Sequence, residues 1–115
     1  MPKPTRYYSK RQESRVANEL GAKTTPNSGA TAWSKGDVTG DDILIECKTL
    51  TKEQKVHSIK KEWLEGIEQE AINMRKRIPI LVFDFGTQLP KDQYAVLRMR
   101  DLKMLLELYN NIEEE

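Results

Sequence analysis

Lys35-Gly36-Asp37-Val38-Thr39-Gly40-Asp41-Asp42-Ile43-Leu44-Ile45-Glu46-Cys47-Lys48-Thr49 is the stretch that decides the reading of this 115-residue chain. A β-rich run stands on each side of Gly40-Asp41-Asp42, which predicts a hairpin. With Asp41-Asp42 as a two-residue turn, Val38 faces Ile45 and Asp37 faces Glu46, on one face of the pair and within about 5 Å at Cβ. Side chains alternate along a strand, so Glu46 and Lys48 share a face while Ile45 and Cys47 point the other way. The apolar run Ile43-Leu44-Ile45 marks a central strand, whose charged end is not expected to be an ordinary wet surface. Two carboxylates set opposite each other cost stability unless a cation compensates, and hard oxygen donors at that separation suit Mg²⁺, with Mn²⁺ as a substitute. The same residues also fit an exposed hairpin with a solvated polar face, Lys48 neutralising one acid.

Outward from the hairpin, residues 8–20 read as a helix with an apolar stripe at Val16, Ala17 and Leu20 and a C-cap at Gly21. A short strand is expected at 22–25 and a loop around Asn27-Ser28-Gly29. Residues 58–77 carry the strongest helical pattern, with Ser58 as N-cap and Ile59, Trp63, Ile67, Ala71 and Met74 as one buried stripe. Ile80 to Phe85 reads as a buried strand, Tyr94 to Met99 as another, and Asp101 as the cap of a last helix reaching about Tyr109. The order α-β-β-β-α-β-β-α predicts an α/β fold, a mixed sheet flanked by helices, in one domain over residues 1–115.

Composition sets the outer limits. Gly and Pro total 11, which excludes collagen-like and low-complexity classes, and no apolar run approaches a membrane span. The opening residues have no apolar stretch of the signal-peptide kind. A single cysteine cannot make an internal disulfide, which points to a reducing cytoplasm. The formal charge of +1 sums unlike parts. Residues 1–36 carry seven basic and two acidic groups, 37–50 one basic and four acidic, 51–77 seven and five, and 78–115 four and seven. An acidic cluster therefore lies between two basic stretches, and phosphate responds to local positive surface rather than to the whole-chain sum.

The series Arg11-Gln12-Glu13-Ser14-Arg15, Ser28-Gly29, Gly36-Asp37 and Glu46-Cys47-Lys48-Thr49 resembles the archaeal-type Holliday junction resolvases, including phage-encoded members, within the PD-(D/E)xK nucleases. The likeness covers residues 6–50 by motif and extends loosely to residue 85. It implies a restriction-endonuclease-like fold and a Mg²⁺-dependent endonuclease that cuts four-way DNA junctions. By that resemblance Asp37 and Glu46 hold the metal with the backbone carbonyl of Cys47, and Lys48 orients or activates the attacking water. Glu13 completes the acidic set and Ser28 touches the scissile region. Asn27 replaces a residue that is often basic in the family, and the segment between Asp37 and Glu46 is shorter than in the archaeal enzymes. Two other readings stay open: a restriction- or repair-type nuclease on duplex, flap or nicked DNA, and a non-catalytic DNA-binding module on the same fold.

Arg11, Arg15, Lys35, Lys52, Lys55, Lys60 and Lys61 flank the acidic site in sequence and are candidate phosphate contacts. Arg75-Lys76-Arg77 falls at a helix C-terminus, where positive charge is favourable anyway. Cys47 reads as a small buried hydrophobe, Trp63 as core, and His57 as an exposed loop histidine or a phosphate contact. In the last helix Leu102, Leu105, Leu106 and Tyr109 are expected to cover the core. Met104 and Leu108 widen the apolar arc to about 200°, against the roughly 100° that a surface helix needs. That surplus predicts a subunit interface and a homodimer.

Overall fold

In the computed structural model, residues 4–25, 36–87 and 92–114 are described. The elements are α1 (Thr5–Leu20), β1 (Lys23–Thr24), β2 (Val38–Thr39), β3 (Ile43–Lys48), α2 (Lys61–Asn73), β4 (Ile78–Phe83), β5 (Tyr94–Val96) and α3 (Met99–Glu114). The five strands form one mixed sheet in the order β1-β2-β3-β4-β5. β3 and β4 run parallel with α2 between them in sequence, and every other neighbouring pair is antiparallel. This is the expected mixed sheet with helices on its faces, in the expected order of elements.

Alternation along β3 assigns the two faces. Ile45 and Cys47 pack with Val16 and Ala17 of α1, together with Val38 and Val82. Leu44 points the other way and packs with Ile67 and Ala71 of α2. The hairpin closes as its turn chemistry predicts: Gly40 N–H donates to Ile43 O at 3.0 Å, with Asp41-Asp42 between them. Val38 pairs with Ile45 and Thr39 with Leu44, the expected register. Lys76 Nζ donates to the carbonyls of Gly40 and Asp41 (2.7 and 3.2 Å), stapling the end of α2 to that turn. The Arg75-Lys76-Arg77 run thus has a structural task.

Several boundaries differ from expectation. α2 starts at Lys61 with Lys60, not Ser58, at its N-cap, because residues 52–60 run as a strap past the end of the sheet. Gln54 N–H donates to Phe85 O (2.9 Å), and the His57 ring is 2.6 Å from Asp84 O, so these residues are committed to the sheet end before a helix can begin. α1 begins three residues earlier than expected, directly after Pro4. Asp101 lies inside the first turn of α3 rather than capping it. The largest departure is α3 itself. Leu102, Leu105, Leu106 and Tyr109 cover no core, being 39%, 39%, 51% and 57% exposed.

Gly86 secures the strap. Its φ is +87°, and a Cβ there would meet the backbone of Lys52 and Glu53. Gly86→Ala is expected to destabilise the fold by at least about 1–3 kcal/mol through strain in the left-handed region, before any clash is counted. Urea unfolding of the variant checks this, and an unchanged midpoint would refute the strap's close approach.

Candidate active site

Gly36 starts the site. Its φ of +70° is one that side-chain-bearing residues rarely adopt, and a Cβ would press on the Leu44 side chain at 2.8 Å. The chain therefore enters β2 hard against β3 and re-aims the next residue. A continued ladder would pair Asp37 with Glu46. Instead Asp37 N–H donates to Ile45 O at 2.7 Å, and the Asp37 carboxylate accepts the N–H of Cys47 at 2.7 Å. The side chain thus serves as a ladder partner, and Asp37 is held at the mouth of the sheet between its two faces.

Around Asp37 stand the other acids. On the α2 side, Glu46 has its carboxyl within hydrogen-bonding reach of Asp37, an arrangement that needs a shared proton or a cation between the oxygens. Burial and then the Asp37 charge push the Glu46 pKa up to about 8, with Lys48 partly offsetting them. On the α1 side, burial first and the Asp37 charge second raise Glu13 to about 7, against the pull of Lys10 and Arg6. Cys47, buried in the α1 core, has its thiol pushed far up by burial and by the surrounding acids, so it is no nucleophile at neutral pH.

Lys48 completes the group. Its Nζ is 3.6 Å from Glu46 Oε1 and 4.6 Å from the centre of the Trp63 ring. Trp63 is half-buried beside this lysine instead of deep in the core, with Lys60 Nζ over the same ring at 5.6 Å. The helix turns residue 63 toward the end of β3, one turn beyond the packed pair Ile67 and Ala71. His57 is not a free loop residue. Its Nδ1–H donates to Asp84 O, and its ring meets Phe83 and Trp63 edge-on at 5.6 and 6.3 Å.

Two further residues escaped the sequence reading. Glu70 of α2 raises the Glu46 pKa, and its Oε2 is buried with no hydrogen-bond partner among the described residues. The available signal was an acid set among Ile67, Ala71 and Met74 on an apolar stripe. Gln12, fully buried, donates from Nε2 to Lys48 O at 2.7 Å and to Gln93 Oε1 at 3.0 Å. Its spacing from Val16, four residues along the buried side of α1, was the signal there.

Among the expected phosphate contacts, Lys52, Lys55 and Lys60 are exposed on the strap that follows Lys48. Arg11 is exposed on α1 and donates to Tyr7 OH at 2.7 Å. Arg15 is half-buried on the same helix. Lys61 borders a groove between α2 and β5. Ser28, Asn27, Trp33 and Lys35 lie outside the described residues.

The donors that converge here are oxygens, the chemistry of a hard divalent cation. Among the described residues no three His, Cys, Asp or Glu side chains form a ready cage. Mg²⁺ does not require one, since it is commonly bound through one or two carboxylates with water and substrate phosphate completing the shell. The crowded Asp37 and Glu46 carboxyls fit that mode. No known family matches the chain, nor does any curated protein or solved structure.

The raised acids set a stability profile. Glu13 and Glu46 bind protons more tightly in the folded chain than at their ordinary value of 4.5, so their contribution is full below that value. It is lost as pH climbs through about 7 and about 8. The melting temperature of metal-free protein should therefore fall from about pH 5 to pH 8. Added Mg²⁺ should restore part of it at the alkaline end, and Glu46→Gln should flatten the slope. Thermal melts across pH with EDTA or Mg²⁺ check this, and a stability that rises over the range would refute it.

Proposed function

We propose that the chain is a Mg²⁺-dependent, structure-selective DNA endonuclease of the Holliday junction resolvase type, acting as a homodimer. The observation that carries the reading is the Asp37 carboxylate, gripped by Cys47 N–H and flanked by Glu46 on one side and Glu13 on the other, with Lys48 beside Glu46. Asp37, Glu46 and the Cys47 carbonyl would hold the cation. When bound, it makes a water nucleophilic near neutral pH and stabilises charge on the phosphate.

The chain's own groups supply the rest. Glu13, with a pKa of about 7, can take or return a proton at neutral pH. The Lys48 ammonium, steadied by Glu46 and the Trp63 face, brings positive charge to the reacting phosphate and orients the water. Lys52, Lys55 and Lys60 on the adjoining strap offer an electrostatic approach for the backbone of a branched DNA.

Labelled four-way junction, linear duplex and flap substrates, incubated with Mg²⁺, Mn²⁺ or EDTA, test the assignment. Metal-dependent junction cleavage is expected, falling at least about 100-fold in Asp37→Ala and Glu46→Ala, the scale of losing a principal electrostatic group. Preference for flap or linear duplex would move the chain to a repair or restriction role. Junction binding without cleavage would make it a binding module.

Trp63 gives an independent measurement. Trp63→Leu should lower kcat about tenfold with little change in KM, because a cation–π contact of about 1–2 kcal/mol is lost from Lys48. Trp63→Phe should recover much of it. Equal losses in both variants, tracking lowered melting temperatures, would show a packing role only.

A further inference from the structure

α3 meets the body of the molecule only through its first turns, where Asp101 is buried and Met104 half-buried. Leu102, Leu105, Leu106 and Ile112 recur at helical spacing along one side and are 39–71% exposed. Beyond those first turns no other element among the described residues packs closely against this helix. The molecule measures 54 × 31 × 26 Å. Its extra length along one axis matches a 16-residue helix, about 24 Å at ~1.5 Å per residue, projecting outward. A stripe of this kind left in water is a patch that monomers rarely keep.

The acceptor for such a stripe lies at the root of the same helix. An open groove of about 260 Å³ is floored by Leu64 and Ile67 of α2, Pro79 of β4, and Val96 and Leu97. It has room for a few anchor side chains, not for a whole helix. Its rim carries both signs, Lys61 and Arg98 against Glu65 and Glu68, and the borders of the stripe do too, Lys103 against Glu107.

The chain's own α3 is poorly placed to fill it. Only Leu97 and Arg98 connect β5 to α3, and both line the groove. Arg98 is pinned across the rim by two bonds to Glu68, at 2.7 and 3.1 Å, which sets the direction in which the helix leaves. A helix that starts at the edge of a groove and points away cannot turn back into it within two residues. Pairing α3 of one copy with α3 of another would cover the stripes and leave both grooves open.

We propose that two copies exchange helices, the α3 stripe of each seating its apolar side chains in the groove between α2, β4 and β5 of the other. A two-fold axis makes the contact self-complementary and closes it at a dimer. Both exposed apolar surfaces are then buried at once. The exchange rests on the homodimer of the proposed function but not on its chemistry: a chain that dimerises this way and cuts no DNA keeps the exchange and loses the nuclease.

The test is light scattering and cysteine cross-linking on the full chain. Wild type should be a dimer at micromolar concentration, and Leu106→Asp on the stripe or Val96→Asp in the groove should each weaken it at least about tenfold, as loss of a central anchor does. Circular dichroism confirms that the variants stay folded. Leu64→Cys is then combined with Leu102→Cys, Leu106→Cys or Tyr109→Cys, the native Cys47 being buried. A disulfide between chains in at least one combination, and only when both cysteines are present, is the expected result. A monomeric wild type overturns the proposal. So does cross-linking through a stripe cysteine alone, which means helix-to-helix pairing, or a disulfide within one chain, which means fold-back. A dimer that yields no disulfide in any combination overturns it equally.

Discussion

The hydrogen bond from Cys47 N–H to the Asp37 carboxylate, 2.7 Å long, is the contact on which the site depends. A strand pair normally satisfies such an N–H with a backbone carbonyl. Here a side chain does so, and the substitution has two effects. It fixes Asp37 at the boundary between the two faces of the sheet, where acids from α1 and from β3 can both reach it. It also holds a carboxylate against Glu46 whether or not that contact is favourable. Gly36 makes the geometry possible from one side, since its φ of +70° and missing Cβ let the chain approach Leu44 and Ile45. The apolar packing of Val38 and Ile45 clamps it from the other.

Behind the acids runs a buried polar chain that keeps the end of β3 in place. Gln12 donates to the carbonyl of Lys48 and to Gln93, and Gln93 in turn donates to Asp84. The Asp84 carboxyl also accepts from Thr49 Oγ1 at 2.8 Å and from Gly86 N–H at 3.0 Å. Such a group is expensive to bury unless its oxygens are satisfied, and here three donors meet them. Parts of the chain far apart in sequence (α1, the end of β3, the end of β4 and the residue before β5) are thereby tied at one point. Lys48 extends from that anchored backbone, so its ammonium is placed by Gln12 from below and by Trp63 from the side.

Much of this was legible in the sequence because short-range rules governed it. The turn at Asp41-Asp42, the pairing of Val38 with Ile45, and the division of Glu46 and Lys48 from Ile45 and Cys47 all follow from period-two alternation and turn chemistry. What stayed hidden depended on contacts across the fold. Ser58 looks like a helix cap until His57 and Gln54 are seen to be bonded to the end of β4. Trp63 has the period of a core residue, yet the start of α2 overhangs the sheet end, so the indole meets a lysine instead of aliphatic packing. Glu70 and Gln12 were concealed in another way: a polar residue on an apolar stripe scores as an interruption, and only its neighbours reveal a role. For α3 the helical periodicity was right but the expectation that Leu102, Leu105, Leu106 and Tyr109 cover the core was not, since they are 39–57% exposed; a period fixes which residues share a side, not what packs against it.

The crowding of acids is best understood as a cost that the rest of the fold carries. Glu13 and Glu46 are raised first by burial and then by Asp37, so each is less favourably charged here than in the unfolded chain. A core of this size has little stability to spare. Simple replacement of Glu46 by an apolar residue would relieve the repulsion, since the strand around it is already hydrophobic. The neighbouring groups would still carry the strain of a polar site: the buried Glu70 Oε2, the Lys48 ammonium without its carboxylate, and Asp37 held to Cys47. The arrangement is therefore stabilised as a set only when positive charge enters it, from protons at low pH or, on the proposed reading, from a divalent cation near neutral pH. On the proposed metal-dependent reading, the electrostatic cost at the end of β3 and the affinity for a cation would be the same quantity viewed from two directions, and folding and metal binding would be coupled through Asp37.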